Sequence, residues 1–214
     1  GKLFKSKKRA QSLQEAIYKN YKIAIFDDGL QDHSINYDLT FVCFNNLNWV
    51  GNGFTIPSGP LRESFKTIKD HKNIFVTGNL TNLESIKKEI LKINPQSNIL
   101  TALYVPLNLH EFDKKEKYLV FSGIGNHESF VSMLKSNGLN IIKDLEFPDH
   151  YNYSDQKIYD ITSQAKKLNC KILTTEKDFL RLKGNNLNEI KFIKSELKIN
   201  NENDFLNILS DLYE

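Results

Sequence analysis

The sequence predicts an α/β protein of two units, a parallel-sheet core followed by a smaller α/β layer. Three observations predict it. Apolar runs of strand length alternate with segments whose apolar residues recur at helical spacing, the order that builds parallel sheets. Acidic or glycine-bearing turns follow several of these runs directly, at the carboxyl ends where open α/β sheets gather ligands. A charged stretch at residues 110–117 interrupts the pattern near its middle and divides the chain into 1–110 and 111–214.

Taken in order, residues 10–19 carry helical spacing and lead into a strand at 21–26, and a second buried strand is predicted at 38–44. A third strand covers 73–77, followed by a helix in which Leu83, Ile86, Ile90 and Ile93 share a face and which Asn94-Pro95 ends. Residues 98–107 read as extended. The second unit begins with the strand and turn YLVFSG at 118–123, then a helix carrying Phe130, Val131 and Leu134, and a strand at 139–147. Ser154 is placed to cap a helix at 155–168. A strand at 171–174, a short helix at 176–182, a strand at 190–193 and a final helix at 204–212 complete the pattern.

Hydrophobic residues at 40% and charged residues at 26% are globular values, so the chain is expected to fold. A net charge of +3, with lysines spread throughout, makes no case for nucleic acid but leaves a mildly basic face able to meet acidic lipid headgroups. No apolar run approaches the roughly 18 residues of a membrane span, and the chain is expected to be soluble. Cys43 and Cys170 lack C-x-x-C spacing and read as reduced core residues of a cytosolic protein. Zinc is unsupported, because Lys114 and Val131 stand where His110 and His127 would each need a second histidine. Asn79-Leu80-Thr81 and Asn152-Tyr153-Ser154 match a glycosylation pattern but are set aside for want of a secretory signal. The chain opens at Gly1 with a half-basic segment and is expected to begin inside a longer protein.

The chemistry concentrates in three stretches. Asp27-Asp28-Gly29 follows the first predicted strand, where one carboxylate can hold a hydrated Mg²⁺ and the other can orient a side chain or phosphate-bound water; an acidic β-turn reads the same way. GNGFTIPSGPLRE, residues 51–63, fixes an irregular loop presenting Asn52, Arg62 and Glu63. Arg62 suits a bidentate phosphate clamp, with a hairpin turn at Asn52-Gly53 as the plainer reading. His150, beside Asp149 in a polar loop after a strand, is the best general-base candidate of the five histidines. SGIGN at 122–126 suits either an anion or tight packing. These features point to phosphoryl transfer, yet the chain contains no G-x-x-x-x-G-K-[ST] phosphate cradle.

Taken together, DDGLQ, Asp38-Leu39, GNG-x-x-x-P-x-GPLRE, SGIGN-x-x-x-F, FPDH-x-x-Y and TTEKD resemble the tetraacyldisaccharide 4'-kinases, the lipid A kinases of Gram-negative bacteria, from about residue 1 to residue 185. The resemblance implies ATP and Mg²⁺, a lipid A disaccharide 1-phosphate acceptor, and peripheral attachment to the cytoplasmic face of the inner membrane. It implies a P-loop NTPase-like core, here incomplete at its N-terminal part, with a smaller C-terminal α/β domain. Neither nucleic acid nor an obligate protein partner is implied.

Residue by residue, the resemblance gives Asp27 and Asp28 to the metal and nucleotide, with Gln31 in the same motif. It gives Asn52, Arg62 and Glu63 to the phosphates and lipid headgroup. His150, Asp28 and Arg62 become the catalytic candidates, with His150 activating the sugar hydroxyl in concert with an aspartate. That aspartate, the Walker A loop and a membrane-binding helix are expected upstream of Gly1. Asp32 stands where the family has histidine, with His33 one place later, and neither is assigned a role. Two alternatives stay open: a noncatalytic nucleotide- or lipid-binding module derived from such a kinase, and a Mg²⁺-dependent phosphohydrolase.

Overall fold

The computed structural model describes residues 1–78, 81–183 and 187–212. Helix α1 (Arg9–Tyr18) is followed by β1 (Phe41–Asn45), a 3₁₀ turn Phe65–Asp70, β2 (Asn73–Thr77), α2 (Leu83–Ile93) and β3 (Asn98–Pro106). Then come β4 (Lys117–Ser122), α3 (His127–Ser136), β5 (Asn140–Glu146), α4 (Asp155–Leu168), β6 (Lys171–Thr175), α5 (Glu176–Phe179), β7 (Ile190–Ile193), β8 (Ser195–Ile199) and α6 (Glu202–Ser210). The predicted mixed α/β class stands, with the strands in two four-stranded sheets ordered β1-β2-β3-β8 and β5-β4-β6-β7.

The second sheet is parallel throughout, and its central strand β4 shows why both faces must be covered. Tyr118 and Val120 face α3, where Phe130, Val131, Met133 and Leu134 close one core. Leu119 and Phe121 face α4, where Ile158, Ile161 and Ala165 close the other. Alternate side chains of one strand thus enter opposite cores, so the strand reads as a continuous apolar run. Helix α4 starts where Ser154 accepts a hydrogen bond from the Lys157 amide at 3.2 Å.

In the first sheet β1, β2 and β3 run parallel and β8 closes the edge antiparallel to β3. Ile86 and Ile90 of α2 pack on Ile74 and Val76, while Phe205 of α6 meets Phe41 and Phe75 on the opposite face. A cut at residue 110 therefore separates β1–β3 from β4–β7, but β8 and α6 return to the first sheet. The two units touch at the carboxyl end of β1, where Asn45 Nδ2 donates to Ser129 Oγ of α3 at 3.1 Å.

Three expectations are corrected. Residues 21–26 form no strand and belong to no ladder among the described residues, with Ile23 54% and Ile25 94% exposed. Their β-branched and aromatic residues favour an extended chain, but a strand also needs a neighbour to satisfy its backbone. Cys43 is exposed rather than in the core, and both cysteines are free. Residues 195–199 form a strand the sequence did not announce. Of the glycosylation-like pattern at 79–81, Asn79 and Leu80 lie outside the described residues.

Candidate functional site

The acidic turn is built by a pair of arginines. Arg62 Nη1 donates to Asp28 Oδ1 at 2.5 Å and stands 3.4 Å from Gln31 Oε1, joining the DDGLQ turn to the end of GPLRE across 34 residues of sequence. From below, Arg9 Nη2 donates to the carbonyls of Asp28 at 2.7 Å and Asp27 at 3.3 Å, while its Nη1 meets Asp32 at 3.4 Å. Asp28 adopts φ +52°, a left-handed conformation that aspartate tolerates better than most residues, and Arg9 holds the carbonyl there. Tyr37 completes the turn by donating its hydroxyl to the Gly29 carbonyl at 3.0 Å. The Asp27 carboxylate stays exposed. In the sequence Arg9 reads only as part of a basic segment, and its role in organising this turn is not legible there.

Asp32 turns inward to its own loop, accepting from the Ser34 hydroxyl and amide. The Ser34 hydroxyl, then the Ser34 amide, hold the Asp32 carboxyl below its ordinary range against slight desolvation, with Arg9 adding a little. His33 is exposed.

The loop presenting Arg62 and Glu63 is shaped by Asn52. Its Nδ2 donates to the Ser58 carbonyl at 2.8 Å and its Oδ1 accepts from the Phe54 amide at 3.1 Å. Gly59 is required inside this loop, since a β-carbon there would sit 2.3 Å from the Phe54 carbonyl oxygen. Glu63 is exposed beside Arg62.

His150 occupies a separate place, at the carboxyl end of β4 and β5. Its backbone has φ +58°, its amide donates to the Gly123 carbonyl at 3.0 Å, and its ring lies 3.7 Å from the Asp149 carboxylate with 69% of the side chain exposed. Phe147, Tyr151 and Tyr153, which flank it in sequence, pack against one another. Burial, then the neighbouring Asp178 carboxylate, push the Tyr153 phenol far above its ordinary range, so it remains a hydrogen-bond donor.

The first SGIGN glycine serves packing rather than anion binding. The Gly123 amide is given to Asp178, and a β-carbon there would meet Pro148, Tyr151 and Tyr153 atoms each at 3.0 Å. Asp178 of the TEKD segment is fully buried, and sequence reasoning gave it no role. Its signal was Thr175, three residues earlier at a strand-to-helix junction, the spacing of a capping box. A second unforeseen chain runs from Ser122 Oγ to His127 Nδ1 at 2.6 Å and from His127 Nε2 to Asp144 at 3.4 Å. Ser122 is fully buried, so this serine is a bracket between β4 and α3 and not an accessible nucleophile.

The comparisons with known proteins agree with one another. The family model described as tetraacyldisaccharide-1-P 4'-kinase matches residues 2–214. A tetraacyldisaccharide 4'-kinase of Pelagibacter ubique is 55% identical over the whole chain, which spans 68% of that protein. One of Rickettsia canadensis is 39% identical over 183 residues, covering 85% of this chain and 54% of the relative. The crystal structure of LpxK from Aquifex aeolicus in complex with ATP superposes with a TM-score of 0.54 at 21% identity, over 87% of this chain and 56% of that one. The chain thus spans from about half to about two thirds of the lengths of these proteins, and it belongs to the tetraacyldisaccharide-1-phosphate 4'-kinase family.

Proposed function

We propose that this chain carries the acidic, arginine and histidine residues of an enzyme that transfers the γ-phosphate of ATP to the 4'-hydroxyl of a tetraacyldisaccharide 1-phosphate, working peripherally at the cytoplasmic face of the inner membrane. The observation that carries the reading is the cluster of Asp28, Arg62 and Gln31, in which two distant motifs meet in an exposed, charge-paired turn. The donor set fits Mg²⁺, which takes one or two carboxylates and fills its remaining positions with water and phosphate oxygens. Asp27 and Asp28 would hold the ion, which when bound neutralises charge on the transferring phosphoryl group. Arg62 is placed to exchange its contact with Asp28 for a phosphate of ATP or of the lipid headgroup, Glu63 stands beside it, and Asn52 sets the loop that presents both. The exposed His150 ring takes the proton of the attacking hydroxyl. No helix among the described residues is long and apolar enough to cross a membrane.

The 214 residues by themselves contain no Walker A sequence, so on this reading they turn over no ATP alone. The test uses the full-length gene product with ATP, Mg²⁺ and tetraacyldisaccharide 1-phosphate. Asp28→Ala is expected to weaken Mg²⁺-dependent turnover and to regain part of the rate as Mg²⁺ is raised. Wild-type turnover at low Mg²⁺ by that variant, or phosphate transfer by the isolated 214-residue chain, contradicts the reading.

A further inference from the structure

We propose that Asp178 is the positioning residue for His150, acting through the Gly123 peptide. The inference rests on the reading above for the chemistry of His150, but its geometry stands apart from that reading. Asp178 is fully buried and collects four donors. Oδ2 accepts from the Gly123 amide at 3.1 Å and the Thr175 hydroxyl at 2.7 Å. Oδ1 accepts from the Tyr153 hydroxyl at 3.3 Å and Arg181 Nη1 at 3.3 Å. Gly123 is thereby held on both sides of its α-carbon, because its carbonyl accepts from Arg181 at 3.2 Å and from the His150 amide at 3.0 Å. On the other side of His150, Tyr153 ties the same loop back to the same carboxylate. His150 is thus suspended between two attachments that both end on Asp178, in a left-handed conformation that a residue with a β-carbon keeps only when its surroundings hold it there. The backbone is fixed from the core while the ring is left open to solvent.

A carboxylate is needed at this point because all four partners donate. An asparagine offers one oxygen and one NH₂ group; the Thr175 and Tyr153 hydroxyls can turn to accept from that NH₂, but the Gly123 amide and Arg181 only donate and lie on different carboxylate oxygens, so whichever way it turns one of those two faces a donor. In the 214-residue chain, Asp178→Asn is expected to speed amide hydrogen exchange at His150 by about tenfold, the weight of one charge-assisted hydrogen bond, and to average its φ-sensitive coupling constant. Ile161→Ala, which weakens the same unit from the core of α4, is expected to leave His150 no faster than its neighbours. Loosening of His150 in both variants in proportion to lost stability overturns the proposal. Should Asp178→Asn not fold, Thr175→Val and Tyr153→Phe each remove one donor, and unchanged His150 exchange in both is equally contrary. Thr175→Ser is expected to behave as wild type. In the full-length gene product Asp178→Asn is expected to lower kcat about tenfold with KM for ATP unchanged; a rise in KM alone counts against it. If Asp178→Asn frees His150 while His150→Ala keeps wild-type kcat, the anchoring holds and the catalytic reading of His150 is what fails.

Discussion

Asp28 meets Arg62 at 2.5 Å with the two side chains 60% and 58% exposed, whereas Asp178 meets Arg181 at 3.3 Å with the carboxylate fully buried and the arginine 20% exposed. The shorter contact is the weaker one for stability. In water an exposed pair is screened and contributes about 0–1 kcal/mol, while removing one partner of a buried pair leaves an uncompensated charge and costs about 3–5 kcal/mol. The exposed pair can therefore open for a phosphate at little cost. The buried pair cannot open without disturbing the turn it holds. On the proposed reading the first region exchanges with a ligand and the second holds a shape, and the two candidate halves of the reaction are divided between them.

The largest effect that tests this contrast is on stability. Asp178→Ala is expected to cost about 3–5 kcal/mol and Arg62→Ala less than about 1 kcal/mol, measured by urea unfolding of the 214-residue chain. Comparable losses break the comparison. A smaller effect sharpens it. Ser154→Ala, which removes the cap that launches α4 directly after the His150 loop, is expected to cost about 1 kcal/mol without changing the Mg²⁺ dependence of the full-length enzyme. The smallest effect concerns pH in the exposed region. Asp32 titrates below its ordinary range when folded, so its contribution is present above the ordinary carboxylate pKa and is lost as pH falls through the lowered one. Acidification through that window is expected to loosen the Ser34 amide by hydrogen exchange in wild type, with no such pH dependence in Asp32→Asn.

The parts of the fold written locally were legible. Helix α4 begins at the residue after Ser154, as its cap dictates, and β2, β3, β6 and β7 lie within a residue or so of their predicted bounds because apolar runs bounded by turns mark them. What needed a distant partner was not legible. Residues 21–26 carry a strand's composition, yet no ladder forms there among the described residues. Within 195–199, residues 196–199 alternate charged and apolar side chains, but the segment becomes a strand only because β3 offers a free edge. The candidate site divides the same way. Asp27, Asp28, Gln31 and Arg62 were legible as motifs, and the structure brings Asp28, Gln31 and Arg62 together. Arg9 and Asp178 were not, because each acts on backbone groups far away in sequence, at 19 residues for Arg9 to Asp28 and 55 for Asp178 to Gly123. Asn52, legible as a polar residue in a glycine-rich loop, spends its amide group building that loop.

On the proposed reading the chemistry on the acceptor hydroxyl belongs to the shape-holding region, at His150, and the handling of nucleotide and Mg²⁺ to the exchangeable turn. Steady-state kinetics of His150→Ala in the full-length gene product, with folding checked by circular dichroism, tests it most directly. The variant's kcat is expected to fall by about 10²- to 10⁴-fold with KM for ATP and the Mg²⁺ dependence unchanged. A wild-type kcat, or a loss that appears only in KM for ATP, contradicts it.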